Sequence, residues 1–479
     1  MKKTLILETY PFSPHLEISG EIALNKYLVE KQKVFFGWLG DDLKWAEWHQ
    51  PIYKKFILSH KKRVKLFQDI IKKEGISIIN SKNFIVNCVD IEKWSDKFSG
   101  DIYDLKKYSF KNKNLGVGAA SSLISFCQES EPDLNTHNLK VKKCLYTSGY
   151  IYKLAKKILK YYNPEILITF NGRFATSNAI ALAAKDLNIK TIFHERGSNL
   201  ERYELFEGSV HSNELRKKLI KYYWQNEKNK KKKLKIAKKF FLSKRKGIKK
   251  DLLGLSFKNL ENPPSIKVAK DQKIYTYFSS TSYEWDALQG NNHNEWKNEY
   301  HAIKSLICET NKLKNKIKLV IRLHPYNNRL KNFKDLKNIK ILANQNNILL
   351  FDEHSNINSY KLIKKSYAII TYGSTIGAEA VYMNKPSISM RKSYYQNKNT
   401  VYSALNRKEL KKILNLNKLK EKSKDSILPF GYYMSIFGKE FKYYKPKNYF
   451  NGLFMGRTIL PYSKITQFIV SNIRRFYEI

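Results

Sequence analysis

A chain of 479 residues that is 42% hydrophobic and 14% aromatic is long enough for two folded domains and too apolar to be a disordered polymer. Its 89 Lys and Arg against 42 Asp and Glu give a formal charge of +47, which favours contact with nucleic acid, anionic lipid or phosphorylated substrates. Four cysteines without C-x-x-C spacing argue against a disulfide framework or a zinc site, and no apolar run reaches the length of a membrane-spanning helix.

The N-terminal stretch MKKTLILETYPFSPHLE has only Leu5-Ile6-Leu7 before Glu8, too short for a signal sequence. Thr4–Glu8 reads instead as a first strand, followed by a helix over Ser19–Glu30, a strand at Lys33–Phe36 and a helix over Ile57–Lys73. His15, Glu17 and Glu21 sit in the loop and helix start after that first strand, where Gly20 permits close approach of a ligand. A carboxylate there can serve as general base for a sugar hydroxyl; an ordinary solvated Glu in a first turn reads the same. Asp41-Asp42 lacks further ligands, so no metal is expected. Val141–Tyr161 is a long helix ending at Asn163-Pro164. Then come an apolar strand (Glu165–Thr169), a polar turn (Asn171, Gly172, Arg173), an Ala-rich helix (Ala175–Leu187) and a strand (Lys190–Phe193). That is the β-turn-α-β unit of a parallel sheet. It closes on His194-Glu195-Arg196-Gly197. Glu195 is a rival base, and Arg196 can clamp an acidic sugar or a phosphate.

The run Lys228–Lys250 is the densest in lysine. Its Leu and Phe residues suit a basic amphipathic helix lying on an anionic membrane surface, or a solvated linker face. Asn262-Pro263-Pro264 interrupts the periodicity near residues 253–267 and marks a domain boundary. The pattern then restarts with strands at Lys273–Phe278, Ile317–Leu323 and Ile348–Phe351, and helices at Asn294–Leu313 and Asn358–Lys365. Arg322 and His324 end the second of these strands, Pro325 holds His324 extended, and both side chains are expected on one face. From Ile369 to Met390 the chain reads strand, turn, helix, strand. Ser374, Thr375 and Gly377 open that helix, where free backbone N–H groups and hydroxyls can receive a phosphate; an ordinary helix cap reads the same. Glu379, one turn further, can accept from ribose hydroxyls. The predicted organisation is α/β, with a domain over 1–255, a second over 268–440, and a basic aromatic tail over 441–479 ending in a helix at Lys464–Phe476.

The strand ending in His324-Pro325 and the segment SYKLIKKSYAIITYGSTIGAEAVYMNKP (Ser359–Pro386) resemble GT-B glycosyltransferases of the bacterial capsule and surface-polysaccharide type, as does NGRFATSNAIALAAKDLNIKTIFHERG (Asn171–Gly197). The resemblance covers roughly a third of the chain. It implies two Rossmann-like domains with parallel sheets facing across a cleft, and transfer of a sugar from a nucleotide-activated donor to a growing glycan. Several relatives use CMP-linked acidic sugars. Their pattern would give His324, Ser374 and Thr375 the cytidine monophosphate, with Arg322, Gly377 and Glu379 beside it. Asn171, Arg173, His15 and Arg196 would line the acceptor or acidic-sugar side. Ser19-Gly20-Glu21 resembles the start of the first helix in lipid A Kdo transferases, where the Glu is the base; Glu17 and Glu195 remain rivals. The paired acidic motif of some sialyltransferases is missing, and Glu195-Arg196-Gly197 is its nearest approach. No cofactor beyond the nucleotide-sugar co-substrate is expected. The implied partners are a glycan or lipid-linked glycan acceptor and an anionic membrane surface, for a cytoplasmic chain touching the inner face of the membrane. A nucleotide-sugar epimerase or a polyol-phosphate transferase on the same fold is the alternative. No helix-turn-helix, zinc finger or RNP motif supports specific nucleic-acid binding.

Overall fold

Two parallel sheets of Rossmann type organise the chain, and the computed structural model describes residues 1–46, 48, 54–245, 260–288, 295–329, 334–448 and 451–459. The first sheet has the order β13-β6-β5-β4-β1-β2-β3. Its strands are β1 (Lys3–Glu8), β2 (Lys33–Trp38), β3 (Ser77–Ile79), β4 (Ile166–Phe170), β5 (Lys190–Arg196), β6 (Arg202–Phe206) and β13 (Lys439–Glu440). β3 to β5 run parallel, while β6 and β13 are added antiparallel at one edge. The second sheet has the order β12-β11-β10-β7-β8-β9, wholly parallel. It comprises β7 (Lys273–Phe278), β8 (Ile317–Arg322), β9 (Leu349–Phe351), β10 (Ala368–Thr371), β11 (Ser387–Ser389) and β12 (Tyr402–Ser403). Strands such as LILE in β1 and AIIT in β10 are buried at every position, as the central strands of helix-covered parallel sheets must be.

In both sheets the strand order reverses between the first and fourth strands, β1/β4 and β7/β10. Open α/β sheets bind ligands outside the carboxyl ends of the strands at that switch point. Two such sheets in tandem give the α/β, GT-B architecture expected from the sequence. The second domain also meets the first through a direct hydrogen bond: Asn298 Nδ2 donates to Glu131 Oε1 at 3.1 Å.

Domain composition departs from the expected partition at both ends. Part of the basic aromatic tail is built into the fold: β14 (Tyr444–Pro446), β15 (Gly452–Phe454) and β16 (Arg457–Thr458) form a small antiparallel sheet on the first domain. Phe454 is fully buried there, 5.5 Å from the Phe67 ring, and a Cβ on Gly20 would come within 2.5 Å of it. The helices Asn213–Asn226 and Lys230–Arg245, assigned to the first domain from sequence, pack on the helix Leu428–Ile436 and share a core with Ala378 and Val381 of the second. The apolar face of the basic segment is thus covered by protein. Its continuation to Lys250, most of the expected boundary, and the helix at 464–476 lie outside the described residues. No helix among the described residues is long and apolar enough to cross a membrane.

Candidate active site

On the second sheet three adjacent strands end side by side, because Phe278 of β7 is in register with Arg322 of β8 and Thr371 of β10. At about 4.8 Å between strands, their loops lie within roughly 10 Å of one another. The β7 loop begins Ser279-Ser280. Ser279 Oγ accepts the His324 N–H at 2.8 Å, which fixes the start of the β8 loop. His324 Nδ1 accepts the Tyr326 N–H at 3.1 Å, so the neutral ring carries its proton on Nε2, as a donor. Ser280 donates from N and Oγ to buried Glu299, at 2.8 and 3.0 Å, and Tyr277 OH adds a third bond at 2.8 Å. Burial pushes the Glu299 carboxyl up to about 8.

The β10 loop turns on Gly373, at φ 81°, a conformation that costs glycine nothing. Ser374 and Thr375 follow. Tyr395 OH donates to the Ser374 carbonyl at 2.6 Å and pins the turn. Buried Arg391 runs beside it: its Cδ is 3.5 Å from where a Cβ of Gly373 would stand, and its guanidinium lies 3.7 Å from Asp286 and donates to the Trp285 carbonyl at 3.3 Å.

The structure separates two expected ligands from this group. Arg322 is turned into the protein, donating to the carbonyls of Leu323, Asp352 and Ser355, so it braces the loop after β9 and does not share the face of His324. Glu379 is buried and accepts from Tyr360 OH at 2.5 Å, Lys244 Nζ at 3.2 Å and Thr375 Oγ1 at 3.3 Å. Its oxygens tie the helix Ile376–Tyr382 to its neighbours and are not offered to a ribose. Gly377 fits against Tyr395, whose Oη would be 2.6 Å from an added Cβ, so its smallness serves packing.

The first sheet places Glu195 and Asn171 together at the ends of β5 and β4. Asn171, in the left-handed region at φ 54°, donates from Nδ2 to Glu195 Oε2 at 2.6 Å. Glu195 Oε1 accepts the Arg196 N–H at 3.0 Å, and His15 Nδ1 stands 3.8 Å away. The Glu195 side chain keeps 20% of its surface exposed. His15 is held well below its ordinary pKa by burial and by the neighbouring Arg196 and His194, so it stays neutral. His211 approaches Asn171 at 3.4 Å and is pushed down to about 3 by burial beside Arg173 and Arg216. Arg196 reaches the Ser13 carbonyl at 3.3 Å. Arg173 is engaged by Ser121 and Ser125 at 3.0 and 2.9 Å and lies over the Phe174 ring.

The other two candidate bases are committed elsewhere. Glu21 is fully buried and accepts the main-chain N–H groups of Lys442, Tyr443 and Tyr444 at 2.8, 2.7 and 3.1 Å, plus Asn25 Nδ2 at 3.0 Å. Glu17 is buried in an ion pair with Arg63 and accepts from Ser13 Oγ at 2.7 Å. Neither carboxylate is placed to meet a substrate hydroxyl. Sequence reasoning passed over His211, Glu299, Arg391 and the Ser279-Ser280 pair. A hydroxyl pair directly after an apolar strand is the same signal that singled out Ser374-Thr375, and it could have found Ser279-Ser280.

No protein-family model matches the chain, and no curated protein matches its sequence. Solved structures overlap it loosely. The β-Kdo 2,4 transferase of Thermosulfurimonas dismutans KpsC is 10% identical over 56% of this chain and 78% of its own, with a TM-score of 0.35. The β-Kdo 2,7 transferase of the same protein is 11% identical over 67% and 89%, with a TM-score of 0.34. The Staphylococcus aureus MnaA structure with UDP is 11% identical over 100% and 97%, with a TM-score of 0.25. Overlaps this loose leave the activity to be read from the site itself.

Proposed function

We propose that the chain is a sugar transferase whose second domain holds the phosphate of a nucleotide-activated donor. The observation that carries this reading is the row of three strand ends at the switch point. It presents the His324 Nε2–H, the Ser279 and Ser374 hydroxyls, and the adjacent Arg391 charge. Preorganised donors of this kind stabilise the negative charge that grows on a departing phosphate without reorganising. Glu195 supplies the base. Its carboxylate takes the proton of the acceptor hydroxyl while that oxygen bonds to the anomeric carbon and the carbon–phosphate oxygen bond breaks. The Asn171 hydrogen bond aims it. The donor in this reading is a CMP-linked acidic sugar, and the acceptor a surface glycan.

A thermal-shift series with CMP, CDP, UDP and GDP tests the donor half, because a ligand of the native state alone raises its stability. One nucleotide should raise the melting temperature, and His324→Ala should abolish that shift. Glu195→Gln should keep the shift and lose transfer by about 100-fold or more. No shift with any nucleotide sinks the proposal. Conversion of the donor to its sugar epimer without any acceptor makes the protein an epimerase instead.

A further inference from the structure

The helix Lys230–Arg245 has two contrasting sides. One is apolar and occupied: Ala237, Phe240 and Phe241 are buried, with Phe240 and Phe241 at 5.8 and 6.5 Å from Phe430 between ring centres. The other carries Lys231, Lys235, Lys238, Leu242 and Arg245, all exposed. Steps of four, three, four and three residues keep them on one face. Three lysines of this helix are committed, Lys232 to Glu227 at 2.8 Å, Lys233 to the Trp224 carbonyl at 3.0 Å and Lys244 to Glu379 at 3.2 Å. Among the described residues no carboxylate pairs with Lys230, Lys231, Lys235, Lys238 or Lys239. Nor does the overall composition explain the stripe. Residues 212–245 hold 14 Lys and Arg and only two Glu, more than twice the basic density of the whole chain.

We propose that this stripe docks the protein on an anionic lipid bilayer by charge alone, its apolar side staying inside the protein. A flat, solvent-facing row of lysines gains from every anionic headgroup within a Debye length. Nucleic acid fits less well: the stripe holds no aromatic ring for bases to stack on, and lysines bind as point charges without the planar fork that reads base edges. Lys244 ties this helix to Glu379, directly behind the Ser374-Thr375 turn. Docking would therefore seat the second domain's crevice close to the membrane, although the inference itself does not rest on the transferase reading.

Flotation of the full chain with vesicles, read without nucleotide, decides it. Binding is expected to vesicles of phosphatidylcholine mixed with phosphatidylglycerol and not to phosphatidylcholine alone. It should be released at about 0.5 M salt, where the Debye length is only about 4 Å. Lys→Gln at 230, 231, 235, 238 and 239 should lower the partition about fivefold per lysine, and more than about 100-fold together, with the melting temperature unchanged. Lys→Arg at the same five positions should bind as the parent does, and the pair Lys231→Gln with Lys238→Gln gives a graded loss if the fivefold variant folds poorly. Equal binding to neutral vesicles, or full binding by the Gln variants, overturns the proposal. So does displacement from the vesicles by duplex RNA at equal charge concentration.

Discussion

Each oxygen of the Glu21 carboxylate receives main-chain donors from residues more than four hundred positions later in the chain. Glu195, in the same domain, shares its oxygens with one amide side chain and one backbone N–H and keeps a fifth of its surface in solvent. The two should respond to substitution in opposite ways. Glu21→Gln replaces an acceptor with a donor facing N–H groups, leaving buried donors unmet at about 1–3 kcal/mol each. It should lower unfolding stability by about 3 kcal/mol in chemical denaturation, whereas Glu195→Gln should leave stability within about 0.5 kcal/mol. Glu299 gives a pH dependence. Burial raises its folded value from an ordinary 4.5 to about 8, so between these values the folded state holds a proton that the unfolded chain has released. Its contribution is complete below about pH 4.5 and is lost as pH rises through about 8. Denaturation midpoints should fall across that window, and Glu299→Gln, which still accepts from Ser280, should flatten the fall.

The strand-turn-helix from Ala368 to Tyr382 works as one part, pinned by Tyr395 from beyond β11. Gly377→Ala puts a Cβ 2.6 Å from the Tyr395 Oη, which must then move and release the Ser374 carbonyl. This variant should lose the nucleotide-dependent thermal shift and about 1–3 kcal/mol of stability. This element was legible in advance, since an apolar run, a Gly-Ser-Thr turn and a helix are all local signals. The β4 unit and His324-Pro325 were legible for the same reason. Arg322 was not: strand alternation places a side chain on a face, but the carbonyls of Asp352 and Ser355 that capture it belong to another loop. Glu379 and Glu21 were misread for a related reason. A short sequence window shows a carboxylate but not the distant donors that occupy it. The apolar side of the lysine-rich helix likewise suggested an amphipathic helix lying on a membrane surface, because the helix Leu428–Ile436 that covers it lies nearly two hundred residues away.

At the scale of the molecule, the chain crosses from the first domain to the second and returns. β13 closes the edge of the first sheet on β6, Glu21 clamps residues 442–444, and Phe454 fills a core beside Gly20 and Phe67. A chain ended at Phe437 loses all three. Its first domain should become sensitive to limited proteolysis well below the parent's melting temperature, while a fragment spanning the second sheet survives digestion. Equal resistance across both domains would show that the returning segment is dispensable.

That return reverses the usual order of completion during synthesis. Every strand of the second sheet has been made by residue 403, but the first domain still waits for a phenylalanine at 454. At about 5–20 residues per second, the gap between the end of β5 at Arg196 and Phe454 lasts on the order of 10–50 seconds. Through that interval the earliest-made domain carries an open apolar socket under Gly20, exposed to chaperones. A ribosome that stops early leaves a product that is already marked as unfinished at its beginning.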